Sequence, residues 1–527
     1  MDIVYIGMPA RPGAAPPPDR VGSKAANLAR IARIGLRVPP AFVLDTDLCR
    51  ETLAAGGLPQ RARTLLREGI ALLEQATQRE FGGRRPLLVS VRSSPPVSMP
   101  GMLETVLNIG LTGAATRGLL RTTGNPPLVW DTARRFAEDF SSIVRGCPGA
   151  PFAHATERVL ALARVHSIDE LDPLTLRDLA QDAATLAGTL SGSPLPDDPY
   201  AQLEAAVEAV FRSWSAPRAR EYRRLSSVDD QSGTAVLVQA MAFGNSRTAS
   251  GSGVGFTRNP STGANERYVD FAFNAQGEDV VSGRRRPQEA VNLASALPAI
   301  GAELERAATV LETEFRDMQD FEFTVQDGEL FFLQSRTGKR TPWAALHIAV
   351  DLVHSDVITP AEALQRLQPY DLDAIQRVGL HADVTQGAIA SGIPAAMGVA
   401  AGAIALDSTR ARELGGTRPV ILVRPDLTTD DLAGVSAAVG LVTTNGGRTS
   451  HAAVVARHLG KVCVAGCSAL TINEERRCCS FGARVFAEGD IITIDGDSGL
   501  IYGGAVPTTV ERPEDALAEV RHWRAAA

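Results

Sequence analysis

The side chains best suited to chemistry fall into two clear patterns and two weaker ones. The first clear pattern is "MQDFEFTVQDGELFFLQSR". Apolar and polar residues alternate on either side of Asp327–Gly328, a favoured two-residue turn, so this stretch predicts a β-hairpin. Asp320 and Glu322 alternate with Phe321 and Phe323, which puts both carboxylates on one side of the first strand. Gln334 and Arg336 share a side of the second strand in the same way. Acids with an amide oxygen suit Mg²⁺, and an arginine beside them suits phosphate. A solvated polar face on an edge hairpin is the alternative, and the pattern alone leaves both open.

The second is "TTNGGRTSHAAVVARHLGKVCVAGC", where His451 stands between a glycine pair, Gly446–Gly447, and an Ala/Val stretch ending at Gly460. Thr449 or Ser450 can cap a helix whose first turn includes the histidine, and Gly460 closes it. The positive end of the helix dipole disfavours imidazolium, so a neutral, nucleophilic ring is expected there. The free amides of that end would then stabilise an anion attached to the ring. A histidine that becomes phosphorylated gains in both states. A catalytic triad fits less well, because no nearby serine sits in a nucleophile elbow. A plain histidine in a capping region is the other reading.

The weaker patterns lie near the N-terminus. "LLVSVRSS" reads as a buried strand with one charge, Arg92, delivered into the loop "PPVSMPGMLET", where amides around Gly101 can approach an anion. Lys24 lies in a small-residue turn just before a helix, positioned for phosphate or simply for solvent. "GSGVGF" is not a dinucleotide fingerprint: its glycine spacing is wrong, and it enters a strand where that fingerprint opens a helix.

These residues need scaffolding, and the chain supplies several kinds. Apolar spacing from Ala26 to Ile34 predicts a helix ending at Gly35, followed by a strand from Val38 to Leu44. Residues from about 115 to 230 are helical in pattern, broken at "SGSPLPDDP". Strands return at "TAVLVQAMAFG", "GSGVGFTRNP" and "ERYVDFAFNAQGEDVVSG". Residues 341–385 read as a helical linker, and the strand-like "GAIAL", "PVILVRP", "VGLVTT", "VCVAG" and "IITIDGDSGLIY" follow in a further α/β unit. The tail at 506–527 reads as one short amphipathic helix. At 527 residues several domains are required, and 44% hydrophobic with 21% charged residues is ordinary for a globular chain.

A net charge of −7 gives no basic footprint for nucleic acid, and Arg284–Arg286 reads as a solvated turn. No apolar run is long enough to span a membrane, and no signal peptide is evident, so a cytoplasmic protein is expected. Six cysteines suggest packed thiols more than a disulfide scaffold or a zinc site.

Taken in order, "GSKAANLARIARIGLRVPPAFVL", "LLVSVRSSPPVSMPGMLETVLNIGL", "VLVQAMAFGN", "GSGVGFTRNPSTG", "NAQGEDVVSG", the hairpin and "GGRTSHAAVVARHLGKVCVAGC" resemble the pyruvate, phosphate dikinase family. The resemblance runs along nearly all of residues 1–505. It implies a multi-domain fold of mixed α/β and α+β class. An ATP-grasp-like nucleotide-binding domain (1–340) with a helical subdomain (115–230) would lead through the linker to a swivelling β/α phosphohistidine domain (386–505). His451 would be the phosphorylated nucleophile, in the loop Gly446, Gly447, Arg448, Thr449 and Ser450. Lys24, Arg92 and Arg336 would hold the triphosphate of ATP, covered by the loop from Gly101 through Met102 to Thr105. Gln239 and Met241 would line the adenine pocket, Glu278 would hold the ribose, and Asp320, Glu322 and Gln334 would surround Mg²⁺.

Two departures from the family pattern bear on function. The family's pyruvate- and phosphoenolpyruvate-binding barrel follows the point where this sequence ends, so a barrel on a separate protein, or a small-molecule acceptor, is expected. Arg448 stands where dikinases have methionine and related water-using synthases have arginine, which leaves phosphate or water as the second acceptor, with phosphate favoured. Three functions follow: an ATP-dependent phosphotransferase acting through His451, a stand-alone kinase for another small metabolite, or a non-catalytic regulator. Retention of the phosphate-handling residues argues against the last.

Overall fold

The computed structural model describes residues 3–8, 16–97, 99, 102–225, 229, 232–246, 249–281, 293–381, 384, 387–427, 431–448 and 450–526, without the side chains of Leu225, Glu278, Val281, Ala294, His451 and His458. The chain packs as two compact units, one of residues 1–248 with 331–335 and one of 249–330 with 336–527. The arginine run Arg284–Arg286 lies outside the described residues.

The first unit is built on five antiparallel strands: β1 (Val4–Ile6), β2 (Ala41–Leu44), β3 (Val89–Ser94), β4 (Thr105–Ile109) and β5 (Ala235–Ala240), in the order β1-β2-β5-β3-β4. Every residue of β2 and β5 is buried, so these strands are nearly all apolar and do not alternate. Phe42, Val91, Val236 and Val238 form one core with Leu66 and Ile70 of the helix Gln60–Thr77 and Val207 and Phe211 of the helix Pro199–Ser213. The helical stretch consists of Gly113–Thr123, Pro126–Asp139, Ala150–Ala163, Pro173–Ser191, Pro199–Ser213 and Pro217–Leu225. The break at "SGSPLPDDP" has a physical basis: Gly192 ends one helix at φ 74°, and Asp198 caps the next, with proline in its first turn. Pro18–Arg33 begins before the apolar spacing does, because it is two helical stretches joined across Gly22, whose φ of 76° is not helical.

In the second unit, β6 (Gly251–Phe256), β7 (Tyr268–Phe273) and β8 (Gln319–Gln326) form a sheet in the order β8-β6-β7, and β9 (Glu329–Thr337) follows β8 in the chain, its residues 331–335 grouped with the first unit. The turn between β8 and β9 has Asp327 at φ 52° and Gly328 at φ 81°, the double positive φ of a tight hairpin. The glycines of "GSGVGF" are needed for packing. A Cβ on Gly253 or Gly255 would come within 2.4 or 2.5 Å of the Phe323 or Phe321 ring.

A larger sheet follows, in the order Ala390–Ser391, Leu500–Gly503, Ile491–Asp495, Val399–Ala405, Val420–Arg424, Gly440–Thr443, Val462–Ala465, Ile393–Ala396. Its centre is parallel and its flanks antiparallel. Alternate residues feed two cores, Leu422, Leu441 and Cys463 in one and Ile421, Val442 and Val464 in the other. All six cysteines are free thiols.

Two segments differ from expectation. The 341–385 stretch contains the helices Pro342–His354 and Pro360–Leu367, but it also contains the strand Arg377–Leu380. That strand pairs antiparallel with Thr508–Glu511, so the tail is a strand followed by the helix Glu514–Ala526. Leu517, Val520 and Trp523 of that helix pack with Leu346, Leu352 and Leu367. Neither strand alternates in burial, so neither carries the period-two signal. No helix among the described residues is long and apolar enough to cross a membrane.

Candidate active site

The first unit gathers polar groups at the end of β3. Gly22 allows the first helix to approach this strand: a Cβ there would lie 1.7 Å from the Ser94 carbonyl oxygen. Ser23 N donates to Pro95 O at 2.9 Å and Ala25 N to Ser94 Oγ at 3.1 Å, so the turn carrying Lys24 is stitched to the strand carrying Arg92. Asn27 Nδ2 donates to Ser335 O at 2.9 Å, which ties the same helix to residues 331–335 of β9.

Arg92 then joins three strands. Its Nη1 donates to Leu333 O at 3.1 Å and Gln239 Oε1 at 3.4 Å, and its Nη2 to Gln334 Oε1 at 3.5 Å. The two amide contacts are long beside the ~2.7–2.9 Å of a strong charge-assisted bond. Gln239 is buried and donates to Pro39 O at 3.4 Å. Met241 N donates to Leu88 O at 2.9 Å, and Met241 and Met102 both pack on the same apolar core. Thr105 lies opposite Arg92 across the β3–β4 ladder. Gly101 lies outside the described residues, as does the side chain of Glu278 on the short helix Gly277–Val281 of the second unit.

The acids lie in the second unit, on one face of the β6–β8 sheet. Glu322 is opposite Val254, which is opposite Asp270, and Asp320 is opposite Phe256, which is opposite Tyr268. Asp320, Glu322, Asp270 and Tyr268 therefore share a face, while Phe321 and Phe323 occupy the other. Asp320 is almost wholly buried, and its Oδ2 accepts from Arg336 Nε at 2.8 Å. Burial pushes the Asp320 carboxyl up despite that arginine, while the Asp320 charge raises the Arg336 guanidinium further.

A carboxyl so disfavoured in its charged form would gain from a further cation. Within the second unit, Asp320 and Glu322 are the hard oxygen donors that fit Mg²⁺. Among the described residues no three Asp, Glu, His or Cys side chains converge as a ready cage. A cation held here would complete its shell with phosphate oxygens and water, as Mg²⁺ commonly does.

The histidine loop follows the strand Gly440–Thr443. Thr443 Oγ1 donates to Asn445 O at 2.6 Å, and Gly446 adopts φ 95°, where a Cβ would meet Ser450 at 2.9 Å. Ser450 N donates to Gly447 O at 3.2 Å, and Ser450 Oγ accepts from Ala453 N at 3.4 Å. Ser450 is thus the N-cap and His451 the first residue of the helix His451–His458, while Gly460 follows its end at φ 64°. Thr449 and the His451 imidazole lie outside the description.

Two arginines brace this loop. Arg448 lies 4.8 Å over the Tyr268 ring, whose hydroxyl, pushed up to about 12 by burial, donates to Pro394 O at 2.9 Å. Arg457 is wholly buried and donates through Nη1 to Ala395 O at 2.6 Å and Arg448 O at 2.8 Å. Sequence reasoning singled out neither Arg457 nor Tyr268 nor Asp270. The one available signal was an arginine in the line of the helix's apolar face, with Ala452, Ala453 and Ala456.

Comparison with known proteins bears on this arrangement. The family model "Pyruvate phosphate dikinase, AMP/ATP-binding domain" matches residues 18–71 and 64–303, and "PEP-utilising enzyme, mobile domain" matches 416–499. Pyruvate, phosphate dikinase of Clostridium symbiosum is 41% identical over 514 residues, 95% of this chain and 58% of that protein. The enzyme of the same name from Rhizobium meliloti (strain 1021) is 40% identical over 526 residues, 97% and 59% of the two chains. Pyruvate, phosphate dikinase 2 of Oryza sativa subsp. japonica is 39% identical over 510 residues, 96% and 57%. The chain thus spans less than two thirds of the length of these relatives.

Proposed function

Since the chain belongs to the pyruvate, phosphate dikinase family, we propose that it catalyses the ATP side of a dikinase reaction through a phosphohistidine at His451. The neutral imidazole attacks the β-phosphorus of ATP, the bond to the α-phosphate oxygen breaks, and AMP leaves. Inorganic phosphate then attacks the γ-phosphorus of the histidine-borne pyrophosphoryl group. Pyrophosphate departs, and the β-phosphoryl group remains on His451. Lys24, Arg92 and Arg336 bind the triphosphate, while Met102 and Thr105, with Gly101, cover it. Gln239 and Met241 receive the adenine, and Glu278 the ribose. Asp320, Glu322 and Gln334 are the residues that would hold Mg²⁺, which when bound supplies positive charge to the phosphate oxygens.

The phosphoryl group then passes to an acceptor. An enolisable substrate needs its own metal site and acid/base group, which the family keeps on a barrel. Such a barrel, or a different small-molecule site, supplies the second half-reaction. The segment 386–505 is the mobile carrier between the sites, and the cytoplasm is the expected compartment.

The observation that carries this reading is the loop at His451: a positive-φ glycine, a serine N-cap and a helix headed by the histidine, within a segment matching the mobile-domain family. The amides of such a helix start favour an attached phosphoryl group. Incubation with Mg²⁺, phosphate and ATP labelled at the β-position should give an acid-labile label on His451, with AMP and pyrophosphate released. His451→Ala should abolish the label while ATP binding persists. Equal labelling of that variant, or ADP as the sole nucleotide product, rules the scheme out.

A further inference from the structure

Arg457 is the second unit's least explained charge. Its guanidinium has no solvent contact, and both Nη1 hydrogens serve backbone carbonyls, Ala395 O at 2.6 Å and Arg448 O at 2.8 Å. Nε and Nη2 have no hydrogen-bond partner among the described residues. The guanidinium carbon lies 5.4 Å from the centroid of the Phe256 ring, and no carboxylate forms an ion pair with it among the described residues. Burial lowers its proton affinity, and Tyr268, Cys463, Asp320 and Asp270 offset this only at a distance. A buried cation with unmet donors costs stability, and an apolar residue of similar volume would fold at least as well. Stability therefore does not explain an arginine here.

What the side chain holds explains it better. The Arg448 carbonyl is three residues before His451, in the turn between Gly447 and the Ser450 N-cap. Ala395 belongs to the strand Ile393–Ala396, at the edge of the large sheet. One nitrogen thus bridges the histidine's turn to the sheet edge, from a residue six positions along the histidine's own helix. The approach to the turn is anchored by Thr444 N to Arg424 O, Asn445 N to Pro425 O and Gly466 N to Asn445 O. For Gly446 to Arg448 the other contacts among the described residues are Ser450 N to Gly447 O and Arg448 over the Tyr268 ring. The glycines at 446 and 447 give the turn freedom that a nucleophile must not have.

We propose that Arg457 is the positioning residue of the His451 site. Its guanidinium fixes the Arg448 carbonyl, and thereby the direction in which the helix presents the imidazole. It touches no substrate. This rests on the reading of His451 as the phosphorylated group, but its structural half can be tested apart from that reading.

Arg457→Met keeps the volume and removes the two carbonyl bonds. The expected result is a folded protein with a Tm equal to or above that of the wild type and an unchanged KM for ATP. The rate of His451 labelling should fall by about a hundredfold, the scale of an ångström-size misplacement of a reacting group. Backbone amides at 446–452 should exchange with solvent faster. In Arg457→Ala, low concentrations of guanidinium ion should restore part of the labelling.

Wild-type labelling in Arg457→Met, a loss that follows KM alone, or failure of that variant to fold would each overturn the proposal. If the wild-type protein itself takes no label, the functional reading fails and amide exchange decides the positioning role. Unchanged exchange at 446–452 then refutes it.

Discussion

Arg258 and Arg457 are both buried arginines of the second unit, and they are held in opposite ways. Arg258, just beyond β6, donates to both oxygens of Glu312 at 2.7–3.0 Å and to Asp351 Oδ2 at 2.7 Å. Burial would depress it, but the two carboxylates outweigh that and raise it. It clasps the end of β6 to the helices Pro298–Phe315 and Pro342–His354. Arg457 has two carbonyls and the Phe256 ring instead, and burial wins. The first is a charge neutralised where it stands. The second is tolerated for the backbone it grips. Burial alone does not separate a structural cation from a positioning one; the chemistry of the acceptors does.

The largest effect expected from this contrast is on stability. Arg258→Met strands Glu312, which is only 12% exposed at its side chain, without its partner. Breaking a buried pair from one side costs about 3–5 kcal/mol. Unfolding of the second unit in urea should therefore shift to markedly lower concentration in Arg258→Met, whereas Arg457→Met should not shift downward. Equal stability of Arg258→Met and wild type would erase the distinction.

Arg336 stands between these cases. It pairs with Asp320 at 2.8 Å and also feels the charge of Glu322, and its side chain is 31% exposed. A paired cation that still reaches solvent is suited to meet a phosphate. Arg336→Ala should stay folded, because Asp320, already pushed up by burial, can take a proton. His451 labelling should nevertheless drop by roughly 3 kcal/mol in rate, the scale of one lost electrostatic contact to a reacting group. Glu322→Gln should lower it at least as far. Near-normal labelling in both variants would reduce this face to polar surface.

Much of this was legible in the chain. The hairpin was, because alternation and Asp327–Gly328 are local signals, and so was the helix start at His451, because caps are local too. The convergence of Arg92 with Gln239 and Gln334 spans 147 and 242 residues, and only the family's motif order suggested it. For "GSGVGF" the sequence excluded a dinucleotide fingerprint but offered no reason for the glycines, since that reason is phenylalanine rings about 70 positions away in sequence. Arg457 escaped notice because a lone arginine in an Ala/Val helix reads as a solvated residue until its burial is known. The strand pair of Arg377–Leu380 and Thr508–Glu511 was hidden for a different reason. Its residues are half-exposed on both faces, so hydrogen bonding defines it more than pattern does.

The smallest effect concerns acid, and it uses a third buried arginine, in the first unit. Arg134 of the helix Pro126–Asp139 donates to Asp131 at 2.7 Å and to both oxygens of Glu138 at 2.7–2.8 Å, while Arg135 donates to Asp131 at 2.7 Å. Burial alone would raise the Asp131 carboxyl, but the charges of Arg135 and Arg134 overcome it and hold the group below its usual 3.8. A carboxyl with a lower folded than unfolded pKa contributes stability that is complete above 3.8 and lost as pH falls through the folded value. Amide protection in 126–139 should therefore weaken as pH falls below 3.8, and Asp131→Asn should remove part of that dependence. The two bonds that Arg457 makes to carbonyls have no acid to protonate, so protection at 446–452 should not change through Arg457 over the same range. A parallel loss in both segments would mean that Arg457 depends on a carboxylate after all, and the division between paired and gripping arginines would fail.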